Sequence, residues 1–314
     1  MKFSIAIPAY KCTYIKEAID SCLAQTFRDF ELIIVNDASP EDLDSIVSTY
    51  SDSRIRYYKN EKNYGAENVV DNWNKCLEYA EGDYIICMGD DDKLLPCCLE
   101  EYVKLMDKFP GLGVYHAWTE IIDENGDFCK LQHPRPIYEG AYSLCWNRWN
   151  GRTMQYIGDF CFEKKMLCGE GGFYKLPMAW ASDDISAVRA AQKKGIANTQ
   201  VPCFQYRVNR YSITSIGSMK IKIEATKKEK EWYEAFSQEY VPLSDVELKY
   251  RNMVLLEIDR YFIDKYKQEI ALDIVYKPYR FYYWLCRRKE FNMPIYKVIV
   301  AFVIAVGRKL NMTK

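Results

Sequence analysis

Three consecutive carboxylates, Asp90-Asp91-Asp92, follow directly on an apolar run, Tyr84-Ile85-Ile86-Cys87-Met88. Like charges crowded at the edge of a low-dielectric strand repel one another, so the position calls for a positive partner. No histidine or thiolate pattern stands beside them. The partner that suits an all-carboxylate set is a hard cation, Mg2+ or Mn2+, taken up together with phosphate oxygens. The competing reading is a solvated acidic loop leading into the helix from Pro96. A fourth carboxylate, Asp37, ends the run Leu32-Ile33-Ile34-Val35-Asn36. There it can accept hydrogen bonds from a nucleobase N–H or a sugar hydroxyl, or act as a turn residue with a local backbone bond.

The elements that carry these residues alternate. Phe3–Pro8, Phe30–Val35, Arg54–Tyr58 and Tyr84–Met88 read as strands, Phe30–Val35 as a continuous apolar run of the kind buried on both faces. Between them, Ile15, Ile19, Cys22 and Leu23 fall on one helical face, and Ala66, Val69, Val70, Trp73, Cys76, Leu77 and Ala80 on another. Ser39-Pro40-Glu41-Asp42 has the form of a helix start, with Ser39 as N-cap. Leu99, Tyr102, Val103 and Met106 mark a helix that ends at Pro110-Gly111. The order βαβαβαβα predicts a doubly wound parallel sheet, whose ligands bind outside the carboxyl ends of the strands. Those ends carry Pro8-Ala9-Tyr10, Asn36-Asp37 and Gly89–Asp92. Farther on, Val114–Ile122 and Ile196–Tyr206 read as strands and Ser182–Lys194 as a helix; Tyr142–Gly151 has no clear period. From about Ile221 the pattern is mostly helical.

Composition narrows the function. The chain has 314 residues, 43 Lys plus Arg against 44 Asp plus Glu, and two histidines, so a His-rich zinc site is excluded and no global charge excess points to nucleic acid. Its 12 cysteines form no C-x-x-C pair and read as reduced, mostly buried thiols. His116 and His133 read as structural. The near-neutral total hides an asymmetry: residues 265–314 hold 11 basic and 3 acidic side chains, leaving 32 and 41 in the first 264. The start of the chain has too short an apolar run for a signal peptide, and the longest run, Val298–Val306, is about half of a spanning helix. The stretch Tyr276–Lys289 interleaves aromatics with cations, which suits an interfacial segment on an anionic bilayer or a helical subdomain with a solvated basic face.

As an ordered set, the motifs resemble family 2 glycosyltransferases of the GT-A fold. They are Ile5–Tyr10, Ala24-Gln25-Thr26-Phe27, Glu31–Ser39, Gly82–Ile85 leading into Asp90–Asp92, Trp180–Asp184 and Tyr206-Arg207, covering roughly residues 3–215. The resemblance implies a mostly parallel, Rossmann-like sheet flanked by helices. Residues 1–215 would be the catalytic domain (nucleotide half 1–110, acceptor half 111–215), and residues 216–314 a helical, membrane-associating extension. Pro8, Ala9 and Tyr10 would line the nucleotide pocket, Asp37 would take a uracil N3–H, and Asp90 would contact the ribose. Asp91, with Asp92 as the alternate, would hold the metal, Mn2+ or Mg2+. Asp184, second of the acidic pair Asp183-Asp184, would be the catalytic base; the pair also suits the first turn of a helix simply as dipole-compensating charge. Trp180 and Asp183 would flank the acceptor. Many relatives have a His after the Tyr-Arg segment, where this chain has Val208-Asn209-Arg210, which makes Arg207 and Arg210 candidates for the diphosphate.

The implied activity is inverting transfer of a sugar from a UDP-type donor to a glycan or lipid-linked hydroxyl in bacterial surface-polysaccharide synthesis, at the cytoplasmic membrane face. A base for the acceptor hydroxyl and a counter-charge for the departing diphosphate are the two requirements of that chemistry. The alternative is a non-catalytic nucleotide-sugar-binding subunit docked on a membrane complex, which would need Asp37 and Asp90 but no base.

Overall fold

A computed structural model describes residues 3–209 and 218–312; Arg210 lies outside the described residues. The first strands are β1 (Phe3–Ala9), β2 (Phe30–Asn36), β3 (Ile55–Lys59) and β4 (Tyr84–Cys87). They run parallel in the order β3-β2-β1-β4. The sheet then turns mixed. Next to β4 lies antiparallel β9 (Phe160–Glu163), then β6 (Val114–Ile122), β10 (Ile196–Arg207) parallel to β6, and the two-residue β5 (Lys93–Leu94). β7 (Phe128–Leu131) and β8 (Tyr138–Glu139) pair with β6 and β10.

Strand periodicity sorts side chains onto two buried faces. Ile5, Ile7, Leu32 and Ile34 meet α1 (Ile15–Leu23), α2 (Leu43–Val47) and α4 (Cys98–Lys108) in one core. Ala6, Ile33, Val35 and Ile85 meet α3 (Val69–Tyr79), α5 (Ala141–Trp149) and α7 (Ser182–Ala191) in the other. This is the GT-A architecture, with α6 (Lys164–Gly169) following β9.

The C-terminal helices continue the second core. α8 (Met219–Glu239) contributes Ile223, Tyr233 and Phe236, and α9 (Asp245–Tyr276) contributes Val254, Phe262 and Ile270. Trp149 of α5 stacks on Tyr261 of α9 with ring centres 4.7 Å apart. α10 (Arg280–Arg287) and α11 (Ile295–Met312) close the chain against α9.

Three local readings change. The helix expected from Ser39 begins later and is capped by Asp42, whose Oδ1 accepts from Ser45 N–H at 3.1 Å; Ser39 Oγ instead donates to the Tyr10 carbonyl at 2.6 Å. Residues 37–41 are thus used to cover the end of β1. The unassigned segment at 142–151 is mostly α5, whose many buried positions have no polar face to mark a period. Part of the basic, aromatic tail faces inward: Trp284 is buried with its indole on Asp273 at 2.7 Å, and Arg280 pairs with the same carboxylate.

Candidate active site

The ends of β1, β2 and β4 meet where the strand order reverses. Asp90 Oδ2 accepts from the successive backbone N–H groups of Tyr10 and Lys11 at 2.7 and 2.8 Å, which ties the β1 loop to the β4 loop. Asp91 shares its Oδ2 with the Asn209 amide at 2.5 Å. A cleft of about 150 Å³ is lined by Lys11, Tyr14, Glu41, Asp90, Asp91 and Asn209. Asp92 does not reach it. Its carboxylate is buried and accepts from Arg207 N–H at 3.0 Å.

Neighbouring motifs explain how the acid loop is held. Gln25 donates to the Leu95 carbonyl at 2.9 Å and accepts from Leu99 N–H at 3.1 Å, while Thr26 N–H reaches the Pro96 carbonyl at 2.9 Å, so the Ala24–Phe27 segment fixes the chain beyond the acids. Glu31 accepts from Ser4 Oγ and from the N–H groups of Glu81 and Gly82, anchoring the entry to β4. Gly89 has a packing reason as well: a Cβ there would lie 2.8 Å from Asp91 Oδ1 and 2.9 Å from Asp92 Oδ2.

Burial, and then the charge of Asp91, pushes Asp90 up to about 6. Burial raises Asp91 against the Asn209 bond, and burial followed by Asp91 drives Asp92 well above the carboxylate range. No group of three or more metal-ligating side chains exists among the described residues. A cation held jointly with a diphosphate does not need one, because Mg2+ takes one or two carboxylates and completes its shell with phosphate oxygens and water. Asp91, facing the cleft beside Asn209, fits that requirement.

Arg207 has another task. Its side chain is fully buried. Nε donates to the Asp91 carbonyl at 2.8 Å, Nη1 to the carbonyls of Asp123 and Glu124 at 3.3 Å, and Nη2 to Glu17 at 2.8 Å. It lies 4.2 Å from the Tyr14 ring centre. The guanidinium expected to meet the diphosphate therefore holds the acid loop from behind, with nothing presented to the cleft.

Asp37 is buried at the end of β2. Its carboxylate accepts from Asn60 at 2.9 Å and from Tyr64 N–H at 3.1 and 3.2 Å, and burial raises its pKa against those bonds. Pro8 and Ala9 are the last two residues of β1, and Tyr10 beyond them is exposed.

On the opposite side, the chain enters α7 through a strained strap. Met178, Ala179 and Ala181 all have positive φ, at 60°, 52° and 67°. Such a cluster of non-glycine residues persists only where surrounding packing imposes it. Ser182 Oγ and Ser186 Oγ accept from the N–H groups of Leu176 and Tyr174 at 3.0 and 2.8 Å and so hang the strap on α7. Between the strained residues Trp180 is gripped by the C-terminal helices: its Nε1 donates to Glu269 of α9, and Lys222 of α8 lies 4.8 Å from its ring centre.

The acidic pair follows at the start of α7. Asp184 is buried and bound to Arg148 and Gln155; Asp183 is half-buried. The two sides of the site are in electrostatic reach. The stacked rings of Tyr156 and Tyr206, 3.6 Å apart, have phenols raised by burial and further by Asp92 and Asp183 together. Sequence reasoning did not find Arg148, Gln155, Glu269 or Lys222. Arg148 lay in a segment without period, Glu269 in a tail read for its net charge, and Lys222 in a stretch read only as mostly helical.

His116 is buried 3.4 Å from Asp159, its pKa driven well down by burial and by Arg135. All twelve cysteines are free, seven of them buried.

A mixed sheet with acids at its switch point and an acidic pair opening a later helix has the architecture of a GT-A glycosyltransferase. Residues 4–172, more than half of the chain, match the model of glycosyl transferase family 2, and the chain belongs to that family. It is 32% identical over 135 residues, 43% of this chain and 52% of the relative, to the Escherichia coli UDP-Glc:alpha-D-GlcNAc-diphosphoundecaprenol beta-1,3-glucosyltransferase WfgD. It is 37% identical over 124 residues, 38% of this chain and 42% of the relative, to the uncharacterized glycosyltransferase MJ1057 of Methanocaldococcus jannaschii. The chain spans 42% and 52% of the length of these two curated relatives. Among solved structures, Staphylococcus aureus TarS 1–349 in complex with UDP-GlcNAc superposes with a TM-score of 0.63 over 99% of this chain and 92% of that one, at 14% identity.

Proposed function

We propose that the protein is an inverting, metal-assisted glycosyltransferase that moves a sugar from a UDP-type donor to a hydroxyl of a glycan or lipid-linked acceptor in surface-polysaccharide synthesis. The observation that carries this reading is the cleft at the switch point, where Asp91 presents a carboxylate beside Asn209 while Asp90 locks the Tyr10–Lys11 backbone. WfgD by its name uses UDP-Glc and a diphosphoundecaprenol-linked acceptor, and TarS is solved with UDP-GlcNAc; both support a UDP donor here.

In this reading Tyr10, Pro8 and Ala9 flank the base, Asp37 meets the uracil edge and Asp90 the ribose. Asp91 would hold a divalent ion, which when bound would supply counter-charge to the departing diphosphate. The acidic pair Asp183-Asp184, of which the resemblance points to Asp184, takes the proton of the attacking hydroxyl. Attack from the face opposite the leaving group inverts the anomeric centre.

The same reading places the enzyme on the inner face of a membrane. No helix among the described residues is long and apolar enough to cross one. α11 nevertheless turns Ile295, Ile299, Val303, Val306 and Leu310 outward, a stripe with the i, i+3 and i, i+4 spacing of a single face, and it contains no acidic residue. Exposed Tyr276, Tyr279 and Tyr282, with exposed Lys277 and Lys289, belong to the segment just before it. That chemistry suits an anionic bilayer surface.

The test is a donor screen by thermal shift with nucleotide sugars, with and without Mn2+. A ligand at about 100 times its Kd adds roughly 2.7 kcal/mol. A metal-dependent rise with one UDP-sugar is expected; no shift with any nucleotide sugar would overturn the reading.

A further inference from the structure

The strap that leads into α7 is tied down at its start by side chains from other elements. Asn74 of α3 accepts from Phe173 N–H at 2.8 Å, and Gly172 leaves room for that amide, since a Cβ there would collide with it. Ser186 and Ser182 of α7 take the N–H groups of Tyr174 and Leu176. All of these anchors bind backbone before residue 178. The strained stretch lies beyond them, where Met178, Ala179 and Ala181 have positive φ. Non-glycine residues stay in that region only when their surroundings impose it.

The side chain that reaches out of the strained stretch is Trp180, and its polar partners belong to the C-terminal helices. Its Nε1 donates to Glu269 Oε1 at 2.9 Å, and Thr226 Oγ1 donates to the same oxygen at 2.6 Å. Lys222 and Lys265 place their ammonium nitrogens 4.8 and 5.8 Å from the indole ring centre, within reach of its π face. Glu229 in turn holds Lys265 at 2.5 Å. Lys222, Thr226, Glu229 and Glu269 are all buried, and Glu269 Oε2 has no hydrogen-bond partner among the described residues. Apolar side chains of similar volume would cover the ring with a smaller desolvation penalty. What the polar set adds is direction: an indole N–H aimed at a fixed carboxylate has one orientation. Trp180 stands three positions before Asp183, so a turn of the ring would release Ala181 and shift the first turn of α7.

We propose that Glu269 is a positioning residue of the transferase: through the Trp180 indole it fixes the strained strap, and with it the place of the acidic pair Asp183-Asp184. The proposal rests on the glycosyltransferase reading above. It gives the C-terminal helices a part in turnover that is separate from any contact of α11 with a membrane. Glu269 touches neither donor nor acceptor in this account. It acts only on where the start of α7 stands, and small displacements of a reacting group are costly to rate.

The experiment compares wild type, Trp180→Phe, Glu269→Ala, the double variant and Glu269→Gln in the full chain, each checked for folding by thermal melt. The probe is the UDP-sugar selected by the donor screen with water as acceptor, read as UDP release. UDP affinity is measured by calorimetry with Mn2+. Trp180→Phe keeps a ring and loses the N–H; Glu269→Ala loses the acceptor. Each should lower kcat about 10-fold or more, with KM for the UDP-sugar and UDP affinity within about twofold of wild type. The double variant should be no slower than the slower single one, because both remove the same bond. Glu269→Gln keeps a carbonyl for the indole and should recover kcat to within about threefold of wild type. Wild-type turnover in Trp180→Phe would overturn the proposal, and this variant decides the point if Glu269→Ala does not fold. Losses that add in the double variant, a Glu269→Gln as slow as Glu269→Ala, or UDP affinity that falls in step with turnover would overturn it as well. Failure of wild type to bind UDP or to hydrolyse any UDP-sugar would instead defeat the functional reading itself.

Discussion

The indole Nε1 of Trp180 donates to Glu269 Oε1 at 2.9 Å, joining two residues 89 positions apart. Trp180 sits inside the strained strap that leads to the acidic pair, and Glu269 is a buried residue of α9. The C-terminal helices therefore hold the strap that leads into α7 in place. Glu269 also accepts from Thr226 at 2.6 Å, and Lys222, Lys265 and Glu229 surround it.

Burial raises Glu269 to about 7, opposed first by Lys265. The folded protein keeps this proton up to that pH, whereas the unfolded chain releases it near the ordinary glutamate value of about 4.3. Between the two the native state binds more protons, so this group makes stability fall as pH rises. Urea unfolding should show Glu269→Gln losing less stability than wild type between about pH 5 and 7.5. Equal losses would mean that Glu269 does not titrate in this window.

A second anchor joins the same layers. Glu247 of α9 accepts from the N–H groups of Tyr142 and Ser143 at 2.8 and 3.1 Å, capping α5 from outside its own chain segment. Gly140 makes room for it, since a Cβ there would lie 2.1 Å from the carboxyl carbon. Glu247→Ala should cost about 1–2 kcal/mol by leaving helix N–H groups without an acceptor. Because α5 carries Arg148, the same variant should also lower transferase turnover. A melt identical to wild type would show that the cap contributes nothing.

Gly89→Ala tests the acid loop. The backbone there is not in the left-handed region, so the added methyl acts only through its collision with the carboxylates of Asp91 and Asp92. Calorimetric titration with UDP and Mn2+ should show affinity weakened about tenfold or more, the equivalent of roughly 1.4 kcal/mol. Unchanged affinity would mean that Asp91 and Asp92 are not needed in their present positions for donor binding.

For the membrane face, the informative changes are on α11. Ile299→Glu and Val303→Glu place charges in the outward stripe without touching Val298, Ala301 or Ala305, which pack inward. Each should strip the protein from vesicles containing anionic phospholipid in a flotation assay while its melt stays within about 0.5 kcal/mol of wild type. Flotation that persists in the double variant would refute docking through this stripe.

The sequence alone determined the four parallel strands, the placing of Asp37 and Asp90–Asp92 at their carboxyl ends, and the family. These features follow from local rules: strand and helix periods repeat within a few residues, and a doubly wound sheet has its ligand edge by topology. Sequence also delimited the acidic pair as the start of a helix. Tertiary structure alone decided which way each carboxylate turns. Asp91 and Asp92 are neighbours, yet one faces the cleft and the other the Arg207 backbone. Asp184 is held by Arg148 and Gln155, which come from 36 and 29 residues away. Arg207, a cation beside an acidic site, could be read from its type alone as a phosphate contact; three carbonyls and Glu17, brought together only by folding, give it a structural task. The basic tail read as an interfacial segment or a subdomain with a solvated basic face because net charge does not record pairing. Arg280 on Asp273, Lys265 on Glu229 and Lys297 on Asp264 take up part of that charge inside the fold. Side-chain partners distant in sequence leave no periodic trace, and they set both proton affinity and orientation at this site.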